Sequence, residues 1–122
     1  MLKIILCIKR RPEMTREAFH AYWKDTHSKV VKDVAGLLRI RRNVHNRTMS
    51  TSLDERMREG RGASPDDFDG VAESWFDSLE ALVAETSTDE GRRAAKKLAE
   101  DEERVIDFSR SRIFFVVEYV VI

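Results

Sequence analysis

At 122 residues the chain has room for one modest hydrophobic core and is too short for two. Its 22 basic and 22 acidic residues cancel, which excludes the net basic excess of an ordinary nucleic-acid binder. The longest apolar runs reach about half of a membrane span, Met1–Lys9 has no signal-peptide layout, and the single cysteine, Cys7, cannot form an intrachain disulfide. A soluble cytoplasmic protein is therefore expected, with neither nucleic acid nor membrane as partner.

The first element is Leu2–Ile8 (LKIILCI), an apolar strand that ends at the charged turn before Pro12. Cys7 within it reads as a small core residue rather than a nucleophile. A helix is predicted from Arg16 to about Val34, with Thr15 as N-cap, Met14 and Phe19 as a hydrophobic staple, and Gly36 as its stop. Phe19, Trp23, Val30 and Val34 make its apolar stripe, and His27, four residues after Trp23, shares that inward face. Leu38–Val44 (LRIRRNV) alternates apolar and polar residues as a half-buried strand does. The polar segment Thr48–Pro65, which stretches the break between elements over residues 48–66, is too long for an ordinary connection. It is expected to be a lid or disordered, with LDERM forming one short helical turn. Asp69–Phe76 (DGVAESWF) is a third strand.

A helix over about Ser78–Glu85 follows, with Asp77 and Glu80 as a capping box, and Ser87 with Glu90 repeats that pattern. The next helical stretch, Asp89 to about Val105, has Ala95, Leu98, Ala99 and Val105 on its apolar side; its charge run KKLAEDEER reads as a solvated face. Arg112–Ile122 (RIFFVVEYVVI) is the closing strand. The order β-α-β-β-α-β, with the last helix broken, is the ferredoxin-like α+β pattern, with a four-stranded antiparallel sheet in one domain spanning residues 1–122. Both terminal strands are apolar on both alternating faces, although helices cover only one side of such a sheet. An isolated protomer would expose several hundred square ångströms of apolar surface, so a homodimer packed sheet against sheet is predicted.

The segment RRPEMTREAFHAYWKDTHSKVV resembles the opening motif of EthD-domain proteins, in the dimeric α+β barrel superfamily. DGVAESWFDSLEAL is similar to that family's third strand and following helix, and DEERVIDFSRSRIFFVVEYVV to its closing segment. The resemblance implies a ferredoxin-like protomer that pairs into a barrel and keeps a pocket between sheet and helices. It implies no single reaction, because the superfamily spans heme-degrading and cofactor-free monooxygenases, lactone isomerases, polyketide cyclases, dehydratases, hydroxynitrile lyases and proteins without assigned activity.

Among individual residues, His27 is either a general acid or base in that pocket or a core histidine tied to a backbone carbonyl. His20, seven residues earlier and only about 20° away around the helix, is a second pocket group or a surface or dimer-contact histidine. Tyr22 either orients a carbonyl or packs at the core edge; Glu73 either lines the pocket as an acid/base or faces a partner's arginine. Phe19, Trp23, Trp75, Phe76 and Phe114 are candidate ligand-contact residues, with Trp75 and Phe76 on opposite faces of their strand. Glu118, inside the closing apolar strand, needs a cation, and Arg39 and Arg41 are its candidate partners. His45, with His27 and His20, does not make a usual metal-ligand set, and no phosphate loop, nucleotide signature or nucleophile elbow is present. No metal and no cofactor are expected. The reading is a cofactor-free lyase, dehydratase or isomerase moving a proton on a small, largely apolar aromatic or polyketide-like molecule. The alternatives are a non-catalytic small-molecule-binding accessory protein of a catabolic pathway and, more weakly supported, a cofactor-independent monooxygenase.

Overall fold

Four strands form one antiparallel sheet in the computed structural model, which describes residues 1–122. In chain order the elements are β1 (Leu2–Ile8), α1 (Arg16–Tyr22), a π-helical turn (Trp23–His27), α2 (Ser28–Val34), β2 (Arg42–Arg47), α3 (Ser52–Arg61), β3 (Gly70–Phe76), α4 (Leu79–Glu85), α5 (Asp89–Glu103), a 3-10 turn (Phe108–Arg110) and β4 (Arg112–Val116). The strand order is β2-β3-β1-β4, with all neighbours antiparallel. This is the ferredoxin-like α+β architecture that the element order predicts.

Register assigns every side chain to a face, because alternate residues of a strand point opposite ways. Leu6 pairs with Ala72 and Ile113, so Leu6, Ile8, Ala72, Ser74, Phe76 and Ile113 share one face, and His45, opposite Ala72, joins them. The helices pack there, and Leu6, Ile8, Phe19, Trp23, Val105 and Ile106 form the main core. Ile5, Cys7, Val71, Glu73, Trp75 and Phe114 lie on the other face. Phe114 is about half exposed and Cys7 is free. No helix is long and apolar enough to cross a membrane.

The first helix is continuous from Arg16 to Val34, but its middle turn is wide: Ser28 N–H donates to the carbonyl of Trp23 instead of Lys24. One extra residue in that turn rotates everything beyond it back by about 100° relative to a regular α-helix. The buried residues are accordingly Phe19, Trp23, His27, Val31 and Val34, so Val31 takes the core position expected for Val30.

Several boundaries depart from the sequence expectations for physical reasons. Leu38 continues the stripe four residues after Val34 and packs with it and Ala94, so the chain stays in turns until Arg39, whose φ is 55°. β2 therefore starts at Arg42, after the expected Leu38–Val44 segment is mostly spent. The segment expected to be a loop holds the ten-residue helix α3. Its Thr51 accepts from the Asp54 N–H while Asp54 accepts from the Thr51 N–H, Arg58 pairs with Asp54, and Gly62 closes the end at φ 62°. No residue of α3 is buried, which is why hydrophobic periodicity did not reveal it. Ser78 caps α4 and Thr88 caps α5, in place of Asp77 and Ser87, and Asp77 instead pairs with Arg41. β4 stops at Val116, so Val117–Ile122 are unpaired and exposed rather than the end of an eleven-residue strand. Glu118 accepts from the Trp75 indole N–H, and neither Arg39 nor Arg41 reaches it, since both precede β2.

Candidate active site

Between the sheet and the helices lies a cavity of about 270 Å³, with apolar walls from Ile4, Leu6, Val31, Leu38, Phe76, Leu98 and Ile113. The polar groups on its wall are few: His27, Asn43, His45, Ser74, Glu85 and Glu102. A largely apolar hollow with a handful of polar groups is the usual form of a small-molecule site. A shallower hollow of about 530 Å³ shares Trp23, Val31, Ile40, Asn43 and His45 with it, and is rimmed by Lys24, Lys32, Arg41, Arg42 and Arg47.

His27 enters from the wide turn and is only 4% exposed. Its partner comes from α5, where Asp101 occupies a seam with Gly91, Ala94, Leu98 and Val105 at helical spacing. His27 Nδ1 lies 2.7 Å from Asp101 Oδ2, and the Tyr22 hydroxyl donates to Asp101 Oδ1 at 2.7 Å. Burial raises the affinity of Asp101 for a proton, but the Tyr22 and His27 hydrogen bonds outweigh it and hold the carboxyl below its ordinary range. An ionised Asp101 can only accept, so His27 Nδ1 carries the hydrogen of that bond, and Nε2 has no protein partner. The same bond to Asp101, together with burial, raises the Tyr22 phenol above its usual value.

His45 stacks flat on Trp23, with ring centroids 4.2 Å apart, and its ring lies 5.9 Å from that of His27. Burial and the neighbouring His27 lower it to about 4, so it is neutral in ordinary conditions. Gly70 backs this stack: a Cβ there would stand 2.6 Å from the Trp23 ring, too close to any side chain but hydrogen. On the opposite wall, Glu102 is raised to about 7 by burial and by the adjacent Asp101. Glu85 is likewise raised to about 7 by burial, against the pull of Arg39. Gly91 lets the start of α5 pack against the Glu85 backbone, where a Cβ would sit 1.6 Å from its carbonyl oxygen.

Of the residues singled out in the sequence, His27, Trp23 and Phe76 meet at the cavity. Tyr22 reaches it only through Asp101. Phe19 is fully buried in the core and stacks on Trp23. His20 donates from Nε2 to the Asp69 carbonyl at 2.8 Å, within a charged cluster that also holds Arg10 and Arg16. Glu73, Trp75 and Phe114 lie across the sheet: Glu73 pairs with Lys3 at 2.6 Å and accepts from Asn46, while Lys3 and Arg42 sit over the Trp75 ring. The sequence reading missed Asp101, Glu102, Glu85 and, as a pocket residue, His45. For the two α5 carboxylates the signal was present, since Asp101 falls between Leu98 and Val105 on the apolar seam and Glu102 four residues after Leu98, but the KKLAEDEER run was read as uniformly solvated.

A family model described as EthD domain matches residues 11–109. No curated protein matches the chain. Among solved structures, an EthD-family protein from Bacillus halodurans is 19% identical, with a TM-score of 0.59 over 98% of this chain and 99% of that one. HapK from Hahella chejuensis is 15% identical, with a TM-score of 0.58 over 99% and 94%. A Bacteroides fragilis protein, described as dimeric, ferredoxin-like and of unknown function, is 16% identical, with a TM-score of 0.55 over 94% and 93%. At these identities the likeness speaks to the fold.

Proposed function

The chain belongs to the EthD family, and from that premise we propose that it is a cofactor-free proton-transfer enzyme of lyase, dehydratase or isomerase type acting on a small, largely apolar molecule. The observation that carries this reading is the Asp101–His27 pair opening onto the 270 Å³ cavity. An imidazole whose Nδ1–H is held by a buried carboxylate presents a basic Nε2 in a fixed orientation. A carbon acid seated against Nε2 would lose its proton to His27, and the imidazolium that forms would be stabilised by Asp101. Trp23, with His45 stacked on it, and Phe76 would form the flat walls against which an aromatic or polyketide-like ring packs. The catalytic role is assigned to His27, with Asp101 as its positioning residue and Tyr22 fixing Asp101.

The reading includes a homodimer. Ile5, Cys7, Val71, Phe114 and Val116 lie on the sheet face away from the helices, and a second copy would cover it. Val116→Lys is expected to shift the protein to monomer or aggregate in size-exclusion chromatography; an elution profile equal to that of the parent would count against it.

The chemical test uses 1-tetralone in D2O, with loss of the C2 proton signal followed by NMR. The unmodified protein is expected to accelerate exchange, and His27→Ala to return it to the uncatalysed rate with the fold intact by circular dichroism. Tetralone binding without exchange would support the competing reading, a non-catalytic carrier.

A further inference from the structure

The two carboxyl groups on the cavity wall are not needed to position His27, and neither has a side chain to pair with. Glu102 projects from α5 in line with Ala95 and Leu98, on the cavity side of the helix, where its neighbours are apolar and its one charged influence is Asp101. Glu85 ends α4, and its Oε2 is buried without a hydrogen-bond partner. A buried polar atom left unpaired costs free energy, and its presence in a cavity points to a partner supplied by whatever fills that cavity. Both groups are mostly protonated below neutral pH and about half so at pH 7, because burial raises each to about 7. A protonated carboxyl is a donor as well as an acceptor; it can donate to a carboxylate but brings no positive charge to offset the desolvation of that anion.

We propose that Glu85 and Glu102 are specificity-determining residues that donate hydrogen bonds to neutral carbonyl or hydroxyl oxygens of the ligand, so that the cavity takes uncharged oxygenated molecules and rejects the corresponding carboxylates. The proposal rests on the reading of this cavity as the ligand site, but not on His27 performing catalysis. An apolar ring with a ketone or hydroxyl substituent fits this pattern: the ring lies among Ile4, Leu6, Phe76 and Ile113, and the oxygen meets a carboxyl. A ring acid brings its negative charge to the same wall, where the ionised Asp101 beside Glu102 repels it and one donated hydrogen bond has to offset the cost of its desolvation.

The titratable and charged groups around this wall are His27 from the wide turn, His45 from β2, Glu85 from α4, Glu102 and Asp101 from α5, and Arg39 beside Glu85. His45, lowered to about 4, does not titrate in the working range. Between pH 6 and pH 8.5 the two glutamates change from donors to acceptors, and a ketone, which only accepts, loses its partners.

The test is calorimetric titration of the protein with 1-tetralone and with 2-naphthoate at pH 6 and pH 8.5, repeated on the double variant Glu85→Gln, Glu102→Gln. An amide keeps the donor and does not titrate, so the variant should hold tetralone about equally at both pH values, while the unmodified protein loses about tenfold or more of its affinity at the higher pH. Naphthoate should bind the unmodified protein at least about tenfold more weakly than tetralone at pH 6, and the double variant should narrow that gap. Tetralone affinity independent of pH in the unmodified protein, or a pH dependence that survives in the variant, would overturn the assignment. Equal binding of naphthoate and tetralone would do the same. Absence of tetralone binding at either pH would remove the cavity reading itself, and the proposed function with it; binding without proton exchange would remove only the latter.

Discussion

Asp69 and Asp101 are the two buried aspartates of this molecule, 2% and 8% exposed, and both pack against the first helix. Asp69 accepts from the Arg10 backbone N–H at 2.7 Å, from Arg10 Nη1 at 2.7 Å and from Arg16 Nε at 2.9 Å. Two permanent cations compensate it, and burial, which would raise its pKa, is overcome by those bonds. Every group in that cluster is committed. Asp101 instead accepts from a phenol and an imidazole, with the exposed Arg104 guanidinium no closer than 4.0 Å. Neither donor is a fixed charge, and the imidazole keeps a second nitrogen that no protein group engages. A carboxylate neutralised by arginines holds structure; one satisfied by an imidazole leaves that imidazole able to take up and release a proton.

The largest effect is expected at Asp101. Asp101→Asn is expected to slow tetralone exchange by about 10³-fold through loss of the Nδ1–H tautomer, at a stability cost of about 1–2 kcal/mol in urea titration. Asp69→Asn should invert that outcome. It strands Arg10 and Arg16, costs about 3 kcal/mol and lowers the thermal midpoint by roughly 10 °C, while the exchange rate per folded molecule stays unchanged. If Asp69→Asn abolished exchange at full stability, the division of labour between the two aspartates would be wrong.

Glu102 responds to the neighbouring Asp101 charge. Its folded-state pKa of about 7 lies above the ordinary 4.5, so between those values the folded state holds more protons than the unfolded one, and stability falls as pH rises from about 4.5 to about 7. The loss is on the order of 3 kcal/mol, and Glu102→Gln should remove most of it; urea midpoints at pH 5 and pH 8 measure the difference. Glu85 contributes with the same sign, so part of the slope remains. The smallest effect is expected for Tyr22→Phe, which removes one of the two bonds to Asp101 at about 1 kcal/mol and slows exchange less than tenfold, as the same NMR measurement would report.

The element order and the antiparallel sheet were legible because LKIILCI, VAESWF and RIFFVV are short apolar runs bounded by turns, and because Thr15 with Phe19 and Trp23 announces the first helix. What escaped was settled by long-range partners. Leu38 looks like the first residue of an alternating strand, but it serves the Val34–Ala94 contact. α3 is held by its own caps and a single i,i+4 pair, without the apolar stripe by which helices are recognised. His27 was found from its place on the stripe, whereas Asp101 was concealed in a charged run, since nothing local distinguishes a carboxylate that meets an imidazole 74 positions away from one that meets water. Glu73 and Tyr22 had the right chemistry, yet register places Glu73 behind the sheet and hydrogen bonding ties Tyr22 to Asp101.

The five-residue turn WKDTH also bears on how relatives should be compared. A homologue with the same spacing between the tryptophan and the histidine but an ordinary helical turn would carry its imidazole about 100° round the axis, whereas one that lacks a residue there and closes the turn would keep the imidazole in place. A one-residue gap at this point is therefore compatible with unchanged chemistry, and an ungapped stretch without the wide turn is not.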